Sequence, residues 1–232
     1  MVKIKNSNKT TGFILVNKPV GITSHDVVDK LRSITGIKKI GHSGTLDPLA
    51  EGLLILAIGR EFTKKLAFFQ RKDKEYIALL RLGAVSDSFD KEGKISEIKI
   101  KKIPTRKEIE SVLNRFLGEI EQIPPIFSAK KIKGKKSYQL ARKGIKVNLK
   151  PQKVKIYKIS ILNYHFPLLK IKIKCSYGTY IRSLTNDIGE KLGCGAYLEN
   201  LIRTKIGAFS LKNAVELSKL TPQNWTNYLR SF

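Results

Sequence analysis

The 232-residue sequence is poor in the residues that bind structural metals, since it holds only two cysteines and three histidines. Cys175 and Cys194 lie in separate segments, without the paired spacing of a zinc site. Two cysteines are also too few for a disulfide framework. His25, His42 and His165 do not cluster with them. The sequence therefore predicts a reduced, cytoplasmic protein without a bound metal.

Long apolar runs are also missing. No run approaches the roughly 18 residues that a membrane-spanning helix needs. The first residues contain no apolar stretch followed by a cleavage site, so no secretory signal is predicted. These two absences predict a protein that has no membrane partner.

Acidic residues are scarce relative to basic ones. The sequence has 19 Asp and Glu against 45 Lys and Arg, which gives a formal net charge of +26. Such an excess attracts polyanions, of which nucleic acid is the first candidate and an anionic membrane surface the second. An A+T-rich genome also enriches proteins in lysine whatever their function. The charge is therefore compatible with RNA binding but does not demand it.

The chain divides simply along its length. Residues 1–11 are polar and basic and predict an N-terminal tail. Residues 12–232 contain neither a fixed repeat nor a Gly/Ser linker, which predicts one domain. Strands are expected where short apolar or alternating runs occur. These runs are residues 13–16, 53–58, 75–82, 153–159 and 170–175, the last two with lysines on one face.

Amphipathic segments predict helices over about 25–35, after residue 105 and over about 179–192. Ser24 is the expected N-cap of the first helix and Gly36 its end. Thr105 and Glu108 form a capping-box pattern ahead of the second helix. Its expected buried residues are Ile109, Val112, Leu113, Phe116 and Leu117. A last helix is expected from Val215, Leu217, Leu220 and Trp225. Because strands and helices do not alternate strictly, the pattern favours an α+β fold with a largely antiparallel sheet.

One carboxylate stands out in the sequence GHSGTLDPLAEG at residues 41–52. Asp47 lies between Leu46 and Pro48, and proline restricts both its own φ and the residue before it. An apolar run follows at residues 53–58. The loop is therefore interpreted as a rigid mount for one acid, although glycine, aspartate and proline are also ordinary turn residues.

This stretch resembles the catalytic motif of the TruB family of pseudouridine synthases. Further stretches match the same family in the same order, at residues 17–24, 74–76, 122–130, 178–182 and 189–196. The resemblance runs from about residue 12 to about residue 211 and so covers nearly the whole chain. It implies an α+β pseudouridine-synthase core, in which a mixed, mostly antiparallel sheet and helices surround a central catalytic cleft.

The resemblance also implies the reaction. Family members of the bacterial branch isomerise uridine-55 in the T loop of tRNA to pseudouridine, without a metal or nucleotide cofactor. The implied partner is the T stem-loop of tRNA, with no guide RNA, and we expect a monomer. Many relatives continue into a small RNA-binding domain of the PUA type, for which the sequence after residue 211 has no room.

Three residues match the family's catalytic positions. Asp47 is the implied catalytic carboxylate, which must be ionised to act. Arg182 is implied to lie beside it, since an arginine lowers the pKa of a neighbouring acid and orients it. Tyr76 is implied to stack on the uracil and to reach the proton on C5. Without the resemblance, Arg182 would be interpreted as a surface arginine and Tyr76 as a core aromatic.

Other residues match positions that contact RNA. His42 is implied to occupy the space that a flipped base leaves, because its ring can stack like other aromatic platforms. Tyr180 and Leu201 are implied to line the uracil pocket. Lys18 and Arg203 are expected to contact either phosphate or the loop. The plain alternatives are a turn-capping histidine for His42 and a core leucine for Leu201.

Two other functions remain open from sequence alone. A guide-dependent relative that acts on ribosomal RNA shares the aspartate motif, but it normally carries a C-terminal RNA-binding domain. A non-catalytic RNA-binding or RNA-folding protein could retain the same scaffold. All the catalytic positions are filled, which favours an enzyme.

Overall fold

The structure, a computed structural model, describes residues 10–127, 131–132, 135–136 and 149–231. Most of the predicted N-terminal tail lies outside these ranges, as do residues 128–130 of the matched stretch at residues 122–130. The strands are β1 Gly12–Lys18, β2 Ile40–His42, β3 Ala50–Ile58, β4 Lys74–Leu82, β5 Ala84–Ser86, β6 Ile95–Glu97, β7 Gly118–Gln122, β8 Lys131–Ile132, β9 Lys135–Lys136, β10 Gln152–His165, β11 Leu168–Cys175, β12 Ala196–Ile206, β13 Phe209–Ser210 and β14 Val215–Glu216. The α-helices are α1 Ser24–Thr35, α2 Arg60–Lys64, α3 Leu66–Gln70, α4 Arg106–Asn114 and α5 Ile181–Leu192.

Two compact units divide the chain. Unit 1 combines the chain up to Lys72 with the chain from Ile202 onward, and unit 2 is Asp73–Leu201. Strand β12 contains the second boundary between them. None of the described helices is long and apolar enough to cross a membrane.

Unit 1 has apolar side chains on both faces of its central strands. Strands β1 and β3 pair antiparallel from Gly12 with Ile58 to Lys18 with Gly52, and β14 pairs parallel to β1. One face packs against α1 and the other against α3, each around its own buried cluster. A strand buried on both faces needs an unbroken apolar run, which explains the sequence of residues 53–58. Strand β3 begins three residues earlier than the run that predicted it.

The N-cap of helix α1 lies one residue earlier than predicted, because Thr23 is the N-cap and Ser24 is already helical. Thr23 and Asp26 exchange side-chain and backbone hydrogen bonds in a capping box. The prediction that Ser24 caps the helix is therefore wrong, and its hydroxyl is used in a tertiary contact instead. The predicted end is confirmed, since Gly36 has a φ of 71° that favours glycine.

Unit 2 contains an antiparallel sheet in the order β4-β11-β10-β7, and β5 pairs with β6 separately. Helix α4 packs on β10 and on α5, and α5 packs on β4. These helices cover one face of the sheet, whereas the alternating lysines of β10 and β11 lie on the other. The predicted α+β class with a mostly antiparallel sheet is confirmed.

Two local predictions fail. Leu117 is 44% exposed, because α4 ends at Asn114 and the helical spacing no longer applies beyond it. The predicted last helix is replaced by strand β14 and by short 3₁₀ turns at Leu211–Asn213, Leu217–Lys219 and Trp225–Tyr228. Val215, Leu220 and Trp225 are nevertheless buried against the cluster that holds α1. Their apolar pattern therefore predicted burial correctly but not the backbone conformation.

Candidate active site

The loop between β2 and β3 carries Asp47, whose side chain is partly buried. The hydroxyl of Ser24 accepts a hydrogen bond from the amide of Leu46 at 2.8 Å and donates one to the Leu46 carbonyl at 3.1 Å. On the other side, the amide of Gly21 donates to the carbonyl of Pro48 at 2.8 Å. Because bonds hold the residues before and after it, the backbone position of Asp47 is fixed independently of its own side chain.

Arg203 holds the base of the same loop from β12. Its guanidinium, almost fully buried, donates to the carbonyls of Leu53 at 2.8 Å, Gly44 at 3.1 Å and Thr45 at 3.4 Å. Gly52, with a φ of 113°, lies against the Arg203 backbone, where a Cβ would come within 2.7 Å of its nitrogen. A larger residue at position 52 would therefore separate β3 from β12.

Lys18 is fully buried at the end of β1. Its ammonium group donates to the carbonyls of Pro19 at 2.8 Å and Ile22 at 2.7 Å. Burial is the main reason that the pKa of Lys18 is lowered to about 8. The positive charge of Arg203 also lowers this pKa, whereas the negative charge of Asp47 raises it. Lys18 thus bonds to the loop between β1 and α1, and Arg203 bonds to the loop that carries Asp47. The phosphate contact that was the other expectation for them stays a prediction.

His42 ends β2 and is partly buried. Its Nδ1 accepts a hydrogen bond from the amide of Gly44 at 3.3 Å. An accepting Nδ1 places the proton of the neutral ring on Nε2. This hydrogen bond is the kind of contact expected of a turn-capping histidine, and it orients the ring. The stacking role of His42 stays a prediction.

In unit 2, Arg182 is the second residue of α5 and is buried. Its Nη1 lies 3.3 Å from Oδ2 of Asp90 and donates to the carbonyl of Ser88, and its Nη2 donates to the carbonyl of Phe127 at 2.7 Å. Asp90 is also buried, and it accepts a second bond from the hydroxyl of Ser88. The sequence analysis missed Asp90 as a residue of this site, because its position in the Ser86–Asp90 turn carries no distinctive signal.

Tyr180 is the N-cap residue of α5. The side-chain amide of Gln122, 1% exposed at the end of β7, accepts from the Tyr180 amide at 2.8 Å and donates to its carbonyl at 3.0 Å. Ser183 adds a bond from its hydroxyl to the carbonyl of Ile123 at 2.7 Å. These contacts fix the start of α5 and therefore the positions of Tyr180 and Arg182. Gln122 belongs to a motif matched from sequence, but its role is visible only in the structure.

The remaining predicted site residues lie on strands of unit 2. Tyr76 is on β4, opposite Ile173 of β11, and is 8% exposed. Leu201 is on β12 and is also buried. The structure thus groups Lys18, His42, Asp47 and Arg203 around one loop of unit 1. It places Tyr76, Tyr180, Arg182 and Leu201 in unit 2.

Metal-binding clusters are not found among the described residues, where no three of His, Cys, Asp and Glu converge. Both cysteines are buried thiols, and burial raises the pKa of Cys175 to about 12. A thiol with so high a pKa is a poor nucleophile. Neither cysteine is therefore a candidate nucleophile.

Comparisons with solved structures define the class of protein. The chain matches the crystal structure of a Cbf5-Nop10-Gar1 complex with a TM-score of 0.71 and 30% identity over 90% of its length. It matches a structure of an H/ACA RNP bound to a substrate RNA containing 2′-deoxyuridine with a TM-score of 0.69 and 29% identity over 92% of its length. In both cases it spans about half of the longer chain, 53%. The fold is that of the pseudouridine synthases.

Sequence comparisons define the family. Residues 32–181 match the N-terminal domain of the TruB family pseudouridylate synthases, and residues 182–232 match the C-terminal domain of tRNA pseudouridylate synthase B. The chain is 51% identical over 88% of its length to the tRNA pseudouridine synthase B of Protochlamydia amoebophila (strain UWE25), covering 77% of that protein. It is 45% identical over 95% of its length to that of Chlamydia abortus (strain DSM 27085 / S26/3), covering 94% of that protein. This chain belongs to the TruB family of pseudouridylate synthases and is an enzyme of that isomerase class.

Proposed function

We propose that this protein isomerises uridine-55 in the T loop of tRNA to pseudouridine. The observation that carries the proposal is Asp47, a carboxylate in the family's motif whose neighbours Leu46 and Pro48 are both held by hydrogen bonds. Relatives named tRNA pseudouridine synthase B, 45–51% identical, support tRNA as the substrate. The matches to RNP chains are only 29–30% identical, which favours tRNA over a guide-dependent target.

The reaction rearranges one nucleotide without loss of atoms. The C1′–N1 bond breaks, the uracil turns, a C1′–C5 bond forms, and the proton on C5 moves to N1 through groups of the site and solvent. We propose that Asp47 acts as a free carboxylate, as a nucleophile at C1′ or C6 or as the base that removes the C2′ proton. A fixed backbone on both sides holds this carboxylate ready for either role.

Tyr76 and Arg182 are the other proposed catalytic residues. We assign Tyr76 to stacking on the uracil and to proton transfer from C5, because a phenolic hydroxyl can both accept and donate a proton. We assign Arg182 to keeping Asp47 ionised and oriented, because a guanidinium donates several hydrogen bonds and stays charged. The ion pair with Asp90 supports the orienting part of this role, since it restrains the guanidinium on one side.

The substrate base must leave the folded T loop before it can react, at a cost of a few kcal/mol. We propose that His42 fills the space it leaves, and that Tyr180 and Leu201 line the pocket that receives it. Lys18 and Arg203, which are buried, are better suited to supporting the loop than to binding phosphate. We further propose that the protein acts on the T stem-loop in the cytoplasm, as a monomer and without a guide RNA.

The experiment that tests this function uses an unmodified tRNA transcript. After incubation, pseudouridine is mapped by carbodiimide treatment and reverse transcription, and we expect one stop, immediately 3′ to position 55. A transcript with cytidine at position 55 and the Asp47→Asn enzyme are the controls, and neither gives the stop. Pseudouridine at other positions, or none at all, would refute the proposed substrate.

A further inference from the structure

The outer face of the unit 2 sheet is strongly basic. Strands β4 and β11 place side chains from alternate positions on this face, which the helices do not cover. In β10, a register shift between Ile156 and Lys158 brings both Lys155 and Lys158 to it. We call it the lysine face, and it consists of Arg81, Lys155, Lys158, Lys170, Lys172 and Lys174. All of these side chains are exposed except that of Lys172, which is partly buried.

The strand register sets the spacing of these charges. Lys170, Lys172 and Lys174 follow one another at every second residue of β11, about 6.6 Å apart. Lys158 of β10 lies opposite Lys174, and neighbouring strands are about 4.8 Å apart. Like charges this close repel one another, so the lysines do not stabilise this arrangement of strands. The side chains buried on the opposite face of the sheet stabilise it.

Acidic residues neutralise only part of the lysine face. Lys172 pairs with Glu75 at 3.3 Å. Among the described residues, no carboxylate lies within ion-pair distance of Lys158, Lys170 or Lys174. These ammonium groups are therefore available to an anionic partner.

An exposed aromatic ring lies at the edge of the same face. Tyr157, at an irregularity in the pairing of β10 with β11, is 42% exposed and donates its hydroxyl to Asp73 at 3.2 Å. The ammonium groups of Lys155 and Lys174 lie 5.7 and 5.8 Å from its ring centre. Cation–π attraction at this distance holds both lysines near the ring and reduces the entropy they lose on binding an anion.

The lysine face is separate from the proposed catalytic residues of unit 2. Glu75 and Tyr76 are consecutive on β4, so their side chains point to opposite faces of the sheet. Glu75 is on the lysine face, and Tyr76 is on the face covered by helices. A ligand on the lysine face would therefore contact none of Tyr76, Tyr180 or Arg182.

We propose that the lysine face is a second RNA-binding surface, which binds the phosphate backbone of RNA outside the nucleotide that reacts. Its partner is RNA because the face presents regularly spaced, unpaired cations and because the family acts on RNA. The proposal does not depend on uridine-55 being the target. It assigns to the lysine excess a specific location and function.

The test compares two triple variants of the full chain. The face variant is Lys158→Gln, Lys170→Gln and Lys174→Gln. The matched control is Lys99→Gln, Lys101→Gln and Lys107→Gln, which removes the same charge from exposed positions of unit 2 that lie away from the sheet. The dissociation constant for a tRNA transcript is measured by fluorescence anisotropy over a series of salt concentrations.

We expect the face variant to bind tRNA at least about tenfold more weakly at low salt, and its log–log salt slope to become shallower by about 2. The control variant should stay within about threefold of the wild type at every salt concentration. Lys→Arg changes at the same face positions should keep the wild-type affinity, because the charge is retained. Thermal unfolding of each variant verifies that the fold is unchanged.

Two results would overturn the proposal: no loss of tRNA affinity in the face variant, or an equal loss in both variants. If the face variant keeps its tRNA affinity but loses binding to vesicles that contain anionic lipid, the lysine face binds a membrane surface instead. The rate of pseudouridine formation on a saturating T-arm hairpin is measured in parallel. That rate tests the proposed function alone, because it does not report on affinity.

Discussion

Asp90→Asn removes the ion pair of Arg182 while keeping the shape of the side chain. In the wild type, both partners are buried, with side chains 5% and 7% exposed, and their nearest atoms are 3.3 Å apart. Removing one partner of a buried pair costs about 3–5 kcal/mol, because the other charge loses its compensation. Arg182 keeps the carbonyls of Ser88 and Phe127 as acceptors, so we expect the lower end, about 3 kcal/mol.

That loss predicts a change in thermal stability. For a chain of this size, 1 kcal/mol corresponds to about 2–4 °C in the midpoint of unfolding. We therefore expect the Tm of Asp90→Asn to fall by about 6–12 °C, measured by circular dichroism. The control is Asp29→Asn, which breaks an exposed pair with Arg32 at 2.7 Å. Exposed pairs contribute about 0–1 kcal/mol, so this variant should lose at most about 4 °C.

Activity supplies a second readout of the same change. If Arg182 orients Asp47, a displaced guanidinium should lower the single-turnover rate by about a hundredfold while tRNA affinity changes little. Asp29→Asn should leave the rate unaffected. Equal Tm losses for the two variants would refute the reasoning from burial. An unchanged rate in Asp90→Asn would refute a positioning role for Asp90.

Three further predictions follow from single residues. Asp47→Asn should abolish turnover and leave tRNA affinity within about tenfold of the wild type, because many contacts hold the RNA and one carboxylate reacts; pseudouridine formation by this variant would contradict the assignment. Tyr76→Phe keeps the ring and loses the hydroxyl, so the single-turnover rate should fall by about 10²–10⁴ if the hydroxyl transfers a proton, whereas an unchanged rate would limit Tyr76 to stacking. Burial and the nearby Glu190 raise the pKa of Asp187 to about 6 from 3.8, so its ionisation costs stability as the pH rises through this range. Asp187→Asn should therefore raise the Tm at pH 7.5 but not at pH 4, and an equal change at both values would disprove the effect.

Local patterns predicted those elements whose cause is local. The capping box of Thr105 and Glu108 is present as predicted, because both partners lie within one turn of the chain. Alternation in β11 also appears as predicted, because period two directly reports one buried and one exposed face. In β10 the alternation is interrupted by a register shift between Ile156 and Lys158, which the local pattern did not predict. Such features need no knowledge of the rest of the fold.

Elements whose cause is distant were predicted less well. Ser24 fits the preference for an N-cap, yet its hydroxyl bonds to Leu46, 22 residues away, and Thr23 caps the helix. The final segment has apolar spacing compatible with a helix, but Val215 pairs with Val16 as a strand. In both cases a tertiary hydrogen bond competes with the local preference and determines the outcome.

The same distinction explains what sequence alone reveals about the candidate site. Resemblance identifies Asp47 and Arg182 from their motifs, but it does not indicate what holds them. Their supports are the buried side chains Ser24, Gln122 and Arg203, which bond to backbone atoms 22, 58 and as many as 159 residues away. When a side chain bonds to a backbone atom, the partner can be almost any residue, since nearly all residues offer the same amide and carbonyl. Supports of this kind therefore have no pairwise signature in a single sequence, although the rigidity they give to Asp47 and Arg182 is what the proposed chemistry requires.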